Sequence, residues 1–234
     1  MKKKLHIIMT LLLFIGVFYL SRQGAALHEQ YTTAASQSPA PVVVLDAGHG
    51  YNDPGKIGTN QVLEKDINLS VTYHLKNYLE QSGITVVLTR EDDSPLYQSS
   101  DSNKKRGDMK ARITKIEAAK PALTVSIHQN SYPDSAVSGP QVFYYTSSKE
   151  GKSLAEAIQK NFSHALGDKN TRKAKANQDY YLLLHTSCPI VICECGFLSN
   201  PEECSRLQQE DYQKEIAYSI YLGIMEYLKL PVNS

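Results

Sequence analysis

The sequence carries almost no net charge: 25 Lys and Arg against 24 Asp and Glu leave +1 at neutral pH over 234 residues. No basic block is interleaved with aromatic residues. Together these absences remove the electrostatic footprint of a nucleic-acid binder. Cysteine is scarce, with four in the chain and no even framework of the disulfide-rich kind. A chain of this length buries enough apolar surface to do without one. There is no internal repeat and no sign of a second globular domain. What is present, 41% hydrophobic residues, suffices for one sizeable core.

The N-terminus has the build of a targeting element. Lys2-Lys3-Lys4 precedes an apolar run from about Leu5 to Leu20, closed by Ser21-Arg22. Residues 1–22 therefore read as a signal peptide or an uncleaved signal anchor. At ~1.5 Å per residue the run reaches roughly 24 Å, short of a relaxed span of about 30 Å. Gly24-Ala25-Ala26 offers a small-residue cleavage site. In either case the bulk of the chain is expected outside the cytoplasm, exported or held to the membrane by this helix, as the positive-inside bias requires. Residues 23–40, rich in Ala, Ser, Thr, Gln and Pro, read as a flexible linker. The folded domain is expected over 41–231.

Val42-Val43-Val44-Leu45 reads as a fully buried strand that stops at Asp46 and passes into the turn Gly48-His49-Gly50. After a Gly/Asn/Asp/Pro-rich loop, Leu63-Glu64 opens a helix whose apolar face is Ile67, Val71, Leu75 and Leu79. Ile84–Leu88 is a second strand. A helix over about Arg106–Ala119 is expected to bury Met109, Ile113 and Ile116, and Leu123–Ile127 to form a third strand. Gln141–Thr146 follows as a strand, then a helix marked by Leu154, Ile158, Phe162 and Leu166. A basic loop, Arg172-Lys173-Ala174-Lys175, leads to the apolar run Tyr180–Leu184. Pro189–Cys195 is a last strand and Tyr212–Leu230 a terminal helix. This alternation predicts an α/β fold: a single three-layer αβα domain around a mostly parallel, mixed, six-stranded sheet.

Three strand-like runs end in a residue suited to catalysis: His49, His128 and Glu194. In an open parallel sheet, ligands bind beyond the carboxyl ends of the strands, so parallel strands would bring these three side chains to one rim. Glu64 starts a helix fed by the loop that leaves that rim. Two imidazoles and a carboxylate, with a second carboxylate nearby, fit one catalytic zinc ion with three protein ligands and an open position for water. The fourth group would then act as general base. Duller readings exist: Glu64 as an acid favoured by the helix dipole, His128 as a hydrogen-bonded rim histidine. Glu194 is harder to dismiss, because a carboxylate in an apolar strand is costly unless paired or near a metal. Cys193 and Cys195 alternate away from Glu194 and read as buried small hydrophobes. Of the other histidines only His185 is a serious spare ligand; His6 and His28 lie in the targeting segment and linker, and His74 and His164 ride helices.

These residues carry a resemblance. Asp46-Ala47-Gly48-His49-Gly50, Leu63-Glu64-Lys65-Asp66-Ile67-Asn68-Leu69, Leu88-Thr89-Arg90, Ser126-Ile127-His128-Gln129-Asn130 and Glu194-Cys195-Gly196-Phe197-Leu198-Ser199-Asn200 resemble the N-acetylmuramoyl-L-alanine amidase family 3, over Val42 to Leu230. The resemblance implies that His49, Glu64 and His128 bind zinc and that Glu194 is the catalytic glutamate. It also supplies the substrate, the amide joining the lactyl group of N-acetylmuramic acid to L-alanine in peptidoglycan. Thr171-Arg172-Lys173-Ala174-Lys175 and the short N-terminal helix resemble the spore-cortex, CwlD-type branch, which removes stem peptides on the way to muramic-δ-lactam. A vegetative autolysin, or a non-catalytic wall-binding domain on the same fold, is the alternative. Ala47, Glu117, Cys193 and Cys195 depart from the usual pattern without touching a proposed ligand. Asn130 is a candidate oxyanion donor, and Arg90 and Arg172 are candidates for stem-peptide carboxylates or glycan, Arg90 having a structural ion pair as its other reading. With no repeat-type wall-binding module, targeting is expected to fall to the N-terminal segment or to another protein, which leaves room for a protein activator.

Overall fold

The structure, a computed structural model, describes residues 6, 9–10, 12–25, 39–165 and 170–232. The chain divides into two units, Met1–Ala40 and Pro41–Ser234. In the first, residues 12–25 form helix α1. Among the described residues no helix is long and apolar enough to cross a membrane. The expected basic n-region, part of the Leu5–Leu20 run, most of the linker and Leu166 lie outside the described residues.

In the second unit, the β-branched run at its start forms strand β1, Val42–Ala47. The elements that follow are α2 (Glu64–Gln81), β2 (Thr85–Leu88), α3 (Lys104–Ala119), β3 (Leu123–Asn130), β4 (Gln141–Tyr145) and α4 (Lys149–Ala165). Then come β5 (Lys175–Asn177), α5 (Tyr181–His185), β6 (Ile190–Phe197), α6 (Pro201–Leu207) and α7 (Glu210–Leu228). The six strands lie in the order β2-β1-β3-β6-β4-β5. Strands β2, β1, β3 and β6 are mutually parallel, β4 is antiparallel to β6, and β5 is parallel to β4. The sheet is thus mixed, six-stranded and mostly parallel, with helices on both faces.

Parallel strands covered on both faces read as continuous apolar runs, and period-two alternation decides which side chain joins which layer. Val191, Cys193 and Cys195 of β6 enter the larger core with Ile67, Val71 and Leu75 of α2, Ile158 of α4 and Ile220 of α7. Ile190 and Ile192 point the other way, into the smaller core with Ile116 of α3 and Leu182 and Leu183 of α5. Glu194 shares their parity, so it emerges on the α3/α5 face at the carboxyl end of the strand.

Two elements were not anticipated. β5 is three residues long and starts at Lys175, the last residue of the basic loop, and α6 is started by Asn200, whose side chain accepts from the Glu203 amide at 2.9 Å, with Pro201 in the first turn. The Tyr180–Leu184 run resolves into the short helix α5. β3 continues past Ile127 to Asn130, so His128 lies within the strand and pairs in register with Glu194.

Candidate active site

The site grows from the turn after β1. Gly48 is obligatory there: a Cβ on it would lie 2.3 Å from ring atoms of His128, so the bare backbone is what lets that imidazole approach. His49 follows with φ 62, a left-handed backbone that costs a histidine something and has to be held. Two arginines hold it. Arg90 donates through Nε to the Ala47 carbonyl at 2.8 Å and through Nη2 to Gly48 and Lys65 at 3.2 and 2.8 Å. Arg112 donates through Nη1 to the same Ala47 carbonyl at 2.8 Å and through Nη2 to the His49 carbonyl. Beneath them Asp46, fully buried, accepts from Arg112, Thr89 and Ser126, each at 2.6 Å. Burial alone would raise the Asp46 carboxyl, but the Arg112 guanidinium and the two hydroxyls outweigh it and hold it at about 2.

Glu64 is the first residue of α2 and is buried. Its Oε2 accepts from the Lys56 amide at 2.8 Å, and its Oε1 from the Gln129 amide at 3.0 Å. That Oε1 also lies 3.0 Å from His128 Nδ1 and 3.2 Å from His49 Nε2. Asn68, one turn on, donates to the Gly48 carbonyl at 3.1 Å and to Glu64 Oε1 at 3.3 Å. Burial opposes the Glu64 charge, yet the two imidazoles hold its carboxyl far below the usual range. His49 is desolvated too, but Glu64 and Asp53 raise it overall. Its Nδ1 sits 2.9 Å from Asp53 Oδ2, which fixes the ring and leaves Nε2 facing Glu64.

Ligand atoms of His49, Glu64 and His128 all lie within 4.8 Å of one another. Two imidazole nitrogens and one carboxylate oxygen, with a carboxylate behind one imidazole, are a donor set suited to a divalent cation such as zinc. The site opens on a cavity of about 440 Å³ whose lining includes both histidines, Tyr97, Lys105, Met109 and Tyr180. Glu194 lies beside His128 across the β3–β6 pairing and is 6% exposed. Its Oε1 accepts from the Tyr180 hydroxyl at 3.1 Å, and its Oε2 is buried with no partner among the described residues. Burial raises the Glu194 carboxyl above the ordinary value, with His128 pulling against it and the Glu64 charge pushing further.

The remaining candidates fall elsewhere. Arg90 is 3% exposed, with its donors engaged by backbone carbonyls under the turn, so neither a substrate contact nor an ion pair describes it: it is a brace for the His49 turn. Asn130 accepts from the Ser131 amide through Oδ1 at 2.8 Å at the end of β3. Arg172 donates to the Ser138 carbonyl at 2.8 Å and to Gln141 at 3.2 Å, with its guanidinium 4.7 Å over the Phe197 ring. His185 stacks on Tyr181 at 4.0 Å, away from the three clustered donors. Cys193 and Cys195 are free thiols of the larger core. Sequence reasoning overlooked Arg112, Asp53 and Tyr180. For Arg112 a signal was available: spacing places it on the helix face of Met109 and Ile116.

With this geometry in hand, the comparisons with known proteins agree on one family. Residues 43–226 match the model of the N-acetylmuramoyl-L-alanine amidase family. The germination-specific N-acetylmuramoyl-L-alanine amidase of Bacillus subtilis is 35% identical, covering 97% of this chain and 96% of that protein. The structure of the CwlD amidase from Clostridioides difficile, solved in complex with the GerS lipoprotein, aligns with TM-score 0.78 at 40% identity, over 81% of this chain and 98% of that one. The catalytic domain of CwlV from Bacillus (Paenibacillus) polymyxa aligns with TM-score 0.69 at 34% identity, over 82% and 99%. The chain belongs to the N-acetylmuramoyl-L-alanine amidase family. It is a hydrolase of peptidoglycan, cutting the amide between muramic acid and L-alanine.

Proposed function

We propose that this amidase is zinc-dependent and acts on spore-cortex peptidoglycan, removing stem peptides as the step that leads to muramic-δ-lactam. In this reading His49, Glu64 and His128 hold the metal and Glu194 is the general base. The observation that carries it is the meeting of His49, Glu64 and His128 with a buried carboxylate on the neighbouring strand that keeps one oxygen unpartnered. Zinc held there supplies Lewis-acid chemistry to the amide carbonyl and acidifies a water. Glu194 Oε2 accepts a proton from the attacking water as its oxygen bonds to the carbonyl carbon. The C–N bond then breaks as the proton on Oε2 passes to the L-alanine nitrogen. The products are a free lactyl carboxylate on muramic acid and a stem peptide with a free amino terminus. Asn130, bonded to the Ser131 amide, and Arg172, engaged by Ser138 and Gln141, take no part in these steps.

The cortex assignment rests on the germination-specific relative, which this chain matches along nearly its whole length. By the same analogy with the CwlD complex, a lipoprotein is the class of partner to expect, and the enzyme works outside the cytoplasm, whether or not its N-terminal segment stays attached.

Replacement of Glu194 by Gln tests the chemistry. Metal analysis should find zinc retained, while release of stem peptides from cortex peptidoglycan falls by about two orders of magnitude or more. His49→Ala and His128→Ala should lose the metal, and chelation of the wild type should abolish turnover until zinc is returned. Full activity in Glu194→Gln, or stoichiometric zinc in both histidine variants, would overturn the assignment. Comparing cortex with vegetative peptidoglycan as substrate separates the cortex enzyme from an autolysin.

A further inference from the structure

One polar contact at the site has no place in the reaction so far. Tyr180 ends the loop before α5 and lines the same cavity as His49 and His128. Its hydroxyl donates to Glu194 Oε1 at 3.1 Å, and no other hydrogen bond reaches the Glu194 side chain among the described residues. The tyrosine is itself stationed with care. Its amide donates to Asn177 Oδ1 at 2.8 Å. Asn177 belongs to β5, in register with Tyr145 of β4. The phenol ring packs edge-on against Phe143 with centroids 5.5 Å apart and planes at 77°. A three-residue strand and a five-residue helix are thus arranged so that one hydroxyl meets one carboxylate oxygen.

A base must present a chosen oxygen, and a glutamate with three rotatable side-chain bonds does not do so unaided. A phenol suits the task better than a cation would. It makes a directional, charge-assisted hydrogen bond without neutralising the carboxylate. It can also go on donating to Oε1 when the proton resides on Oε2. Burial and the adjoining Glu194 charge push the Tyr180 hydroxyl well up, so it stays a donor throughout the neutral range. We infer that Tyr180 is the positioning residue of the reaction: by occupying Oε1 it locks the Glu194 carboxylate and reserves Oε2 for the proton that moves between water and the leaving nitrogen. This rests on the assignment of Glu194 as base and deepens it.

The test is Tyr180→Phe, which keeps the ring against Phe143 and removes only the hydroxyl. On a soluble N-acetylmuramoyl peptide, kcat should fall about ten-fold, the worth of one hydrogen bond to a charged group, with KM and zinc content unchanged. A crystal structure of the metal-free variant should find the Glu194 carboxylate rotated or split between two positions. An unmoved carboxylate overturns the inference whatever the rate does. A raised KM at constant kcat overturns it as well, since Tyr180 would then be a substrate contact. If Glu194→Gln is inactive while Tyr180→Phe is fully active, only the role of Tyr180 falls. If Glu194→Gln is itself fully active, the underlying assignment of the base falls instead.

Discussion

At the scale of single residues, Asp46 carries more than its place in a strand suggests. It anchors Arg112, and Arg112 holds the carbonyls of Ala47 and His49, so the left-handed turn of His49 depends on a charge pair beneath it. Removing one partner of such a buried pair is costly because the other is left charged and unpaired. The pair also sets an acid limit. A carboxyl held at about 2 when folded and near the ordinary value when unfolded contributes stability that is present above about pH 4. That contribution is lost as pH falls towards about 2, since the unfolded chain binds the proton first. Its size is about 2 kcal/mol. We therefore expect urea unfolding of the wild type to weaken by that amount between about pH 4 and pH 2 beyond what Asp46→Asn loses over the same range. Parallel denaturation curves for the two proteins at each pH check it, and equal slopes would refute it.

At the scale of elements, β6 divides its labour by parity: Glu194 goes to the site, and Cys193 and Cys195 go to the larger core. Burial pushes both of those thiols up and makes them poor nucleophiles. Under native conditions a thiol reagent should modify Cys188, which is half-buried, ahead of Cys193, Cys195 and Cys204, and all four should react once the chain is unfolded. Peptide mapping after brief labelling checks this; rapid native labelling of Cys193 or Cys195 would contradict it. The same parity explains what could be read in advance. β1, β3 and β6 were legible because strands buried on both faces leave uninterrupted apolar runs, and α2 because Ile67, Val71, Leu75 and Leu79 all face one way. Glu64 could be placed because a helix start is marked locally. Arg112 was marked only by its place on the apolar face of α3, because its partner Asp46 lies on β1, far back in the chain, and nothing local announces the pair. Tyr180 disappeared into a run of hydrophobic residues, where nothing marks its hydroxyl as the used part. β5 is too short and too polar to announce itself.

At the scale of the molecule, both hydrophobic cores and all the proposed site residues belong to the unit Pro41–Ser234. A chain beginning at residue 41 should accordingly unfold at the same temperature as the full chain, within a degree or two, and should hydrolyse a soluble muramyl peptide at the same rate. Circular dichroism melting and turnover measurements decide it; a lower midpoint would mean that residues 1–40 contribute to the fold.

The reversal of β4 has a bearing on how this scaffold can diversify. Because β4 runs against β6, residues 131–140 leave the sheet and re-enter it on the catalytic side, with no helical crossover between. Lengthening or trimming that stretch would leave the register of the parallel strands β2, β1, β3 and β6 untouched. That connection is therefore where this scaffold can take up insertions at little expense to folding.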